Sequence, residues 1–359
     1  MNVYALASHP ETPLRPAAAR RRIDLVLVGA RGQVGSAFRQ RLAGQQHALR
    51  LALGLDLALL ATLDRRGFAF DLQGLAPDRC HADLRTREPG DLEQLVAHLV
   101  RPGAAPALLI DCSASDEITD LYPRLLAGGV GVVAANKRGN ARPLAFYREL
   151  QRLAQQHEAP YRYETTAGAA IPLLEPLRDL RQRGEHVLSI RGVLSGSLSY
   201  ILARVQDDGL EFSEAVAEAG RLGYTEPDPS EDLCLRDISR KLLGLAREAG
   251  FELEAEDLVI EPLADDGNWE ARVTKAKERG ERWVVLADVD DHGGRIGLQC
   301  LPNASPFANL RPGQNLVQVT TDLQDAVPLS LSGPGAGPAV TAAGVFSDVL
   351  AAARQLARR

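Results

Sequence analysis

Lysine is nearly missing from this chain. Of 41 basic residues only Lys137, Lys241, Lys275 and Lys277 are lysine; the rest are arginine. Most of those arginines read as solvated surface charge. The scarcity makes each lysine worth placing, because an ammonium can give up its proton and a guanidinium cannot. Clustered basic residues are missing too: the 359 residues carry a formal charge of −6 and no basic block. That argues against a polyanion-binding surface and against nucleic acid as a partner. No apolar run reaches the roughly 18 residues that span a bilayer, so no membrane partner is expected. Cys80, Cys112, Cys234 and Cys300 form no C-x-x-C pair and have no His spaced to complete a zinc site. Such scattered thiols fit a reducing cytoplasm. Residues 1–22 lack the apolar stretch of a signal peptide and read, from their Pro, Ala and Arg content, as a disordered leader.

What is present is alternation. β-rich runs at Ile23–Val28, Leu57–Leu63, Ala107–Ile110 and Val130–Ala134 each end in a polar or glycine punctuation. Helical patterns at Gln33–Leu42, Asp91–Val100 and Ile118–Ala127 separate them. This order predicts an α/β fold with a Rossmann-type, doubly wound parallel sheet, whose ligands collect beyond the carboxyl ends of the strands. The length suggests about two domains. The first is placed at 23–160 and completed by a C-terminal helix at 338–359. The second, at 161–337, is α+β: strands are expected at Tyr161–Thr166, Val187–Leu194, Arg282–Asp288, Arg295–Leu301 and Leu316–Thr321.

The turn Gly29-Ala30-Arg31-Gly32-Gln33-Val34-Gly35 lies between a strand and a helix. Glycines at this spacing let a pyrophosphate approach the backbone and the free N–H groups of the helix start. Asp64, at the end of the second strand, suits the ribose hydroxyls of NAD; Arg65 and Arg66 beside it suit the 2′-phosphate of NADP. Both readings stand at this level.

Further on, Asp228, Pro229 and Glu231 read as N-cap, first helical residue and capping-box acid of a helix running to Gly250. Leu235, Ile238, Leu242, Leu245 and Ala249 form its apolar face, and Asp237 and Lys241 share another face one turn apart. Asn136-Lys137 ends a buried-type strand. Ser195-Gly196-Ser197 ends another and opens a helix whose N-terminus suits a carboxylate.

Taken in order, the glycine turn, Asp111–Ser115, Ala135–Lys137, Tyr163–Pro172, Leu194–Ile201, Gly223–Asp232, Asp237–Lys241 and Gly335–Val345 resemble the homoserine dehydrogenases, most closely the dehydrogenase half of the fused aspartokinase–homoserine dehydrogenases. The resemblance implies an NAD- or NADP-dependent interconversion of L-aspartate 4-semialdehyde and L-homoserine. It makes Lys241 the proton donor or acceptor and Asp237 its orienting partner. It places Glu226, Asp232, Tyr224, Gly196 and Ser197 on the amino-acid substrate. Gly29, Gly32, Gln33, Val34, Gly35, Asp64, Arg65, Ser113, Lys137, Gly223 and Gly344 fall on the cofactor. A sodium ion is implied at Glu164, Ala167, Ala169 and Ile171, mostly through carbonyls, and a homodimer through the sheet of the second domain.

Two departures qualify the match. Cys234-Leu235-Arg236 replaces the small polar and glycine residues usual before the catalytic Asp, and Ser239 stands where Ala is usual. They leave room for an alternative, a catalytically impaired dinucleotide-binding regulatory homologue. With neither a kinase nor an ACT-type segment legible here, feedback inhibition through an ACT domain is not expected.

Overall fold

Two sheets organise the chain. The computed structural model describes residues 21–359 apart from 83, 170, 226–228, 264 and 266. The expected leader up to residue 20 and the expected substrate ligand Glu226 therefore lie outside the described residues. The first sheet holds β1 (Arg21–Val28), β2 (Leu55–Leu63), β3 (Gly67–Phe70), β4 (Arg85–Thr86), β5 (Ala107–Asp111), β6 (Gly131–Ala134) and β7 (Tyr161–Arg162), in the order β4-β3-β2-β1-β5-β6-β7. From β2 to β7 the pairing is parallel; β3 and β4 are added antiparallel at one edge.

β1 is apolar on both faces because helices cover both, as a central parallel strand requires. Ile23, Leu25 and Leu27 pack with Phe38 and Leu42 of helix Gln33–Leu53 and with Val345 and Val349 of helix Pro338–Leu356. Val26 and Val28 join the core that includes Leu95, Leu125 and Leu150. Each such side chain contributes about 1.5–3 kcal/mol by leaving water. The row from Ala342 to Leu356 thus holds the C-terminal helix against the first sheet across the whole intervening sequence.

The second sheet holds β8 (Val187–Val193), β9 (Leu258–Ile260), β10 (Glu281–Asp290), β11 (Gly293–Pro302), β12 (Gln314–Thr321) and β13 (Leu329–Pro334), in the order β13-β12-β8-β10-β11-β9. Its inner face carries Ile190, Val289 and Val319 in register, part of the core shared with helix Arg236–Ala249. The opposite face is polar along one transverse row: Ser330, Gln318, Arg191, Asp288 and Arg295 lie side by side across five strands. No helix among the described residues is long and apolar enough to cross a membrane.

Several expected boundaries move. Arg21 and Arg22 already belong to β1, paired with Leu55 and Asp56, so the leader does not reach residue 22. Tyr161–Arg162 is the edge strand of the first sheet, paired with Val132 and Val133, so the boundary expected at 160 falls early. That strand stops at Arg162 instead of continuing to Thr166. Tyr163 turns inward and the chain enters a short helix, Thr165–Gly168. The helix expected at 118–127 is two, Asp116–Thr119 and Tyr122–Ala127. Pro123 sits in the first turn of the second, where its missing N–H is tolerated.

Candidate active site

The glycine turn closes as its spacing requires. Gly29 has φ +79°, and a Cβ there would stand 2.6 Å from the Cys112 carbonyl oxygen. A Cβ on Gly35 would stand 2.2 Å from the Gly29 carbonyl oxygen. Any side chain at either position would push the turn open. Gly32 caps helix Gln33–Leu53 without a side-chain hydrogen bond. The first-turn N–H groups, Gln33, Val34 and Gly35 among them, are therefore left for an anion. A cleft of about 420 Å³ opens here, lined by Gly29, Gly32, Asp64, Arg65, Ser113 and Ser115 among others. Five residues assigned to the cofactor from the sequence thus share one wall. Gly223, at φ +77° beyond helix Phe212–Arg221, and Gly344, within the C-terminal helix, do not line it.

Asp64 is not free in that cleft. Arg31, from the glycine turn, grips it at both oxygens: Nε donates to Oδ2 at 2.5 Å and Nη2 to Oδ1 at 2.8 Å. Oδ1 also accepts the N–H groups of Arg66 (3.0 Å) and Gly67 (2.8 Å). Burial opposes ionisation of Asp64, but Arg31 and these two N–H groups outweigh it and hold its carboxyl below the usual range. Arg31 has no assigned role in the sequence reading. Its signal, a charged residue between two glycines of a phosphate turn, was masked by the abundance of arginine.

Asp111, fully buried at the end of β5, ties the neighbouring turns together. Its Oδ1 accepts the Ser113 N–H (2.8 Å) and hydroxyl (2.6 Å); its Oδ2 accepts the Tyr122 hydroxyl (2.7 Å) and Asn136 Nδ2 (2.9 Å). Burial pushes the Tyr122 phenol well up, with the Asp111 charge adding to it, so this donor stays protonated. Asn136 in turn accepts the Arg138 N–H at 3.1 Å, which fixes the turn that carries Lys137.

Lys137 leads to the second half of the site. The helix expected to run unbroken to Gly250 is interrupted: Ser230–Leu233 is a separate turn, and Leu235 adopts a left-handed conformation (φ +59°) before helix Arg236–Ala249 begins. Leu235 stays buried in the core, and that packing holds the strained backbone. The kink places Asp237 in the first turn of the new helix, where the helix dipole favours a carboxylate. Its Oδ2 meets Lys241 Nζ at 2.8 Å and its Oδ1 meets Lys137 Nζ at 3.0 Å. Burial resists the Asp237 charge, yet the two ammoniums prevail and hold its carboxyl far below the ordinary carboxylate range. Lys241 is itself buried and donates to the Leu194 carbonyl at 2.8 Å, just past β8.

The Ser-Gly-Ser turn adjoins that carbonyl. Ser195 caps helix Gly196–Asp207 by accepting the Leu198 N–H at 3.2 Å. Its hydroxyl lies 2.9 Å from that of Ser197, which donates to Asp232 Oδ1 at 2.7 Å. Tyr224 stacks on Tyr200 (ring centroids 4.3 Å apart) and lies against Gly313, whose backbone also abuts Gly196. The structure thus brings Gly196, Ser197, Tyr224 and Asp232 to one place, beside Lys241. A larger groove of about 700 Å³, lined by Phe68, Phe70, Arg85 and His98 among others, shares no residue with the site.

At the loop expected to hold sodium, the Glu164 carboxylate is already engaged. It accepts the N–H groups of Leu173 (2.5 Å), Leu174 (2.7 Å) and Glu175 (2.9 Å), capping helix Leu174–Gln182. The other oxygens of Glu164, Ala167, Ala169 and Ile171 are main-chain carbonyls. Ala169, at φ 55°, turns the chain back between Ala167 and Ile171. The Glu164 N–H donates to buried Asp348 at 3.0 Å, so two carboxylates crowd this loop. Among the described residues no group of three or more His, Cys, Asp or Glu side chains could hold a metal ion.

The same arrangement of domains recurs in known proteins. Residues 172–350 match the family model described as homoserine dehydrogenase, and residues 31–164 the one described as homoserine dehydrogenase, NAD binding domain. The bifunctional aspartokinase/homoserine dehydrogenase of Haemophilus influenzae is 32% identical over 348 residues, covering 91% of this chain and 42% of that protein. The chain spans less than half the length of the curated relatives it matches. A Candida auris protein of unknown function superposes with a TM-score of 0.82 at 26% identity, covering 93% of this chain and 99% of that one. A mutant hyperthermophilic archaeal homoserine dehydrogenase in complex with NADPH superposes at 0.74 with 25% identity, covering 92% and 97%.

Proposed function

Because the chain belongs to the homoserine dehydrogenase family, we propose that it interconverts L-aspartate 4-semialdehyde and L-homoserine with NAD(P). The observation that carries this reading is the buried Lys241, held between the Asp237 carboxylate and the Leu194 carbonyl beside the Ser-Gly-Ser turn. The cofactor fits the cleft: the space a Cβ would fill at Gly29 and Gly35 is closed to side chains, and the helix start offers unpaired N–H groups. Gly29, Gly32, Gln33, Val34 and Gly35 would hold the pyrophosphate, with Ser113 in the same cleft. For Lys137, Gly223 and Gly344, which do not line it, the family resemblance is the support for a cofactor role. Bound NAD(P)H supplies a hydride to the aldehyde carbon.

The chain's own residues handle charge and proton. In the reducing direction the carbonyl oxygen gains negative charge, and Lys241 Nζ stabilises it and delivers a proton; in the oxidising direction the same nitrogen accepts one. Asp237 orients Lys241 and offsets one of the two ammonium charges that meet it. Asp232 and Glu226 take the substrate ammonium, Ser197 and Tyr224 close the amino-acid site, and the helix start at Gly196 faces the carboxylate. Arg236 is exposed and leaves the Asp237–Lys241 contact intact, which supports an active enzyme over an idle homologue.

Sodium suits the carbonyls of Glu164, Ala167, Ala169 and Ile171, since a monovalent hard cation accepts oxygen ligands without a charged side chain and offsets the two nearby carboxylates. A thermal midpoint higher in NaCl than in equal choline chloride supports it; equal midpoints do not. A second copy is placed on the polar face of the second sheet, where Leu188 is half exposed beside β8's Arg191; light scattering in solution gives the mass. The four free thiols suit the cytoplasm.

The test of function is direct. Purified protein given L-homoserine and NAD+ or NADP+ at alkaline pH produces reduced cofactor, read by its absorbance. No reduction with either cofactor rejects the proposal.

A further inference from the structure

The Arg31–Asp64 clamp bears on which dinucleotide the cleft accepts. We infer that this chain selects the 2′-phosphorylated dinucleotide, NADP(H), and that Arg31 is the selector because it both offers charge to the phosphate and disables the acid that would bind an unphosphorylated ribose. The inference rests on the proposed dehydrogenase function and specifies its cofactor.

An adenosine ribose with both hydroxyls free needs an acceptor at the end of the second strand. Asp64 occupies that place, but its oxygens already accept four N–H bonds, two from the Arg31 fork and two from the Arg66 and Gly67 backbone. Each carboxylate oxygen offers about two lone-pair directions. Oδ1 takes three of the four bonds and Oδ2 one, so a single direction on Oδ2 is left and the pair of ribose hydroxyls cannot be accepted by both oxygens. Its charge is also matched by the guanidinium in contact with it.

The surroundings are built for an anion instead. Arg31 spends Nε and Nη2 on Asp64, and its Nη1 carries no bond among the described residues. Arg65 is exposed, lines the cleft, and has no side-chain hydrogen bond or ion pair among the described residues. Arg87 also lines the cleft but is committed to Glu117, with one contact at 3.2 Å and a shorter one beside it. Of the charges that line the cleft, Asp64 and Glu117 are thus each paired with an arginine, and Arg65 is the surplus. A dianionic 2′-phosphate meets that surplus and the open edge of Arg31, through charge-assisted bonds that a ribose hydroxyl cannot return.

Two arginine variants separate the clamp from simple charge. Binding of NADPH and of NADH is measured by calorimetry without substrate, so the readout does not depend on turnover. The wild type binds NADPH about tenfold or more tighter than NADH, the scale of one charge-assisted hydrogen bond. Arg31→Ala weakens NADPH and strengthens NADH, because Asp64 is released toward the ribose. Arg65→Ala weakens NADPH and leaves NADH unchanged. In Arg31→Ala/Asp64→Ala the gain in NADH affinity disappears. Equal binding of the two dinucleotides by the wild type, or an Arg31→Ala variant with an unchanged preference, overturns the inference while leaving the dehydrogenase function standing. Binding of neither dinucleotide overturns both.

Discussion

Lys137 and Asp237 meet at 3.0 Å although they come from different halves of the molecule, one from the turn after β6 and the other from the first turn of helix Arg236–Ala249. The contact makes the carboxylate that orients Lys241 dependent on the nucleotide-binding sheet. Asp111 and Asn136 fix one side of it, and the kink at Leu235 fixes the other. A sequence reading assigns Lys137 to the cofactor alone; in the structure it pairs with the carboxylate that also holds Lys241.

The two ammoniums around Asp237 predict how stability depends on pH. Its folded carboxyl is held below its unfolded value, so its contribution is fully present above about pH 4 and is lost as pH falls through the lower folded value. Asp237→Asn is therefore less stable than wild type at neutral pH, and the difference narrows in strong acid. Thermal melts across pH measure it. A difference independent of pH would show that the carboxylate's charge contributes nothing.

Leu235 combines backbone strain with full burial. A non-glycine residue in the left-handed region costs about 1–2 kcal/mol, whereas deleting a buried leucine side chain costs about 2–5 kcal/mol. Burial wins, so Leu235→Gly lowers unfolding free energy by roughly 1–3 kcal/mol despite relieving the strain. Denaturant titration decides it, and a stabilised variant would mean that strain dominates.

At the other end of the same helix, Glu248 is buried and accepts Tyr163 Oη at 2.5 Å, Arg178 Nε at 2.8 Å and Arg178 Nη2 at 3.0 Å. Removing one member of such a group leaves a buried charge unmatched. Glu248→Ala lowers stability by about 3–5 kcal/mol, and Glu248→Gln, which keeps an acceptor for Tyr163, by less. Equal losses in the two variants would point to lost volume instead of lost charge pairing.

Local signals carried much of this architecture. Helices Asp91–Val100 and Pro338–Leu356 begin and end where periodicity, Pro338 and the flanking glycines place them. The glycine turn is legible because only glycine fits where Cβ atoms would meet Cys112 and Gly29 backbone. The break at Leu235 is not legible, since leucine has no local preference for positive φ and tertiary packing imposes it. The short β7 is hidden for a related reason: Tyr161–Arg162 pairs with β6, while Tyr163 leaves the strand to reach Glu248, far away in sequence. Arg31 was obscured by composition, and its meaning appears only once the strand end at Asp64 is folded against it.

Whether Lys241 moves the proton is decided by comparing wild type with Lys241→Ala and Lys241→Arg under saturating homoserine and cofactor. Turnover falls by about 10²- to 10⁴-fold in Lys241→Ala. Lys241→Arg does not restore it, because a guanidinium keeps its proton, while dinucleotide affinity is unchanged in both. Near wild-type turnover in Lys241→Ala would contradict the assignment.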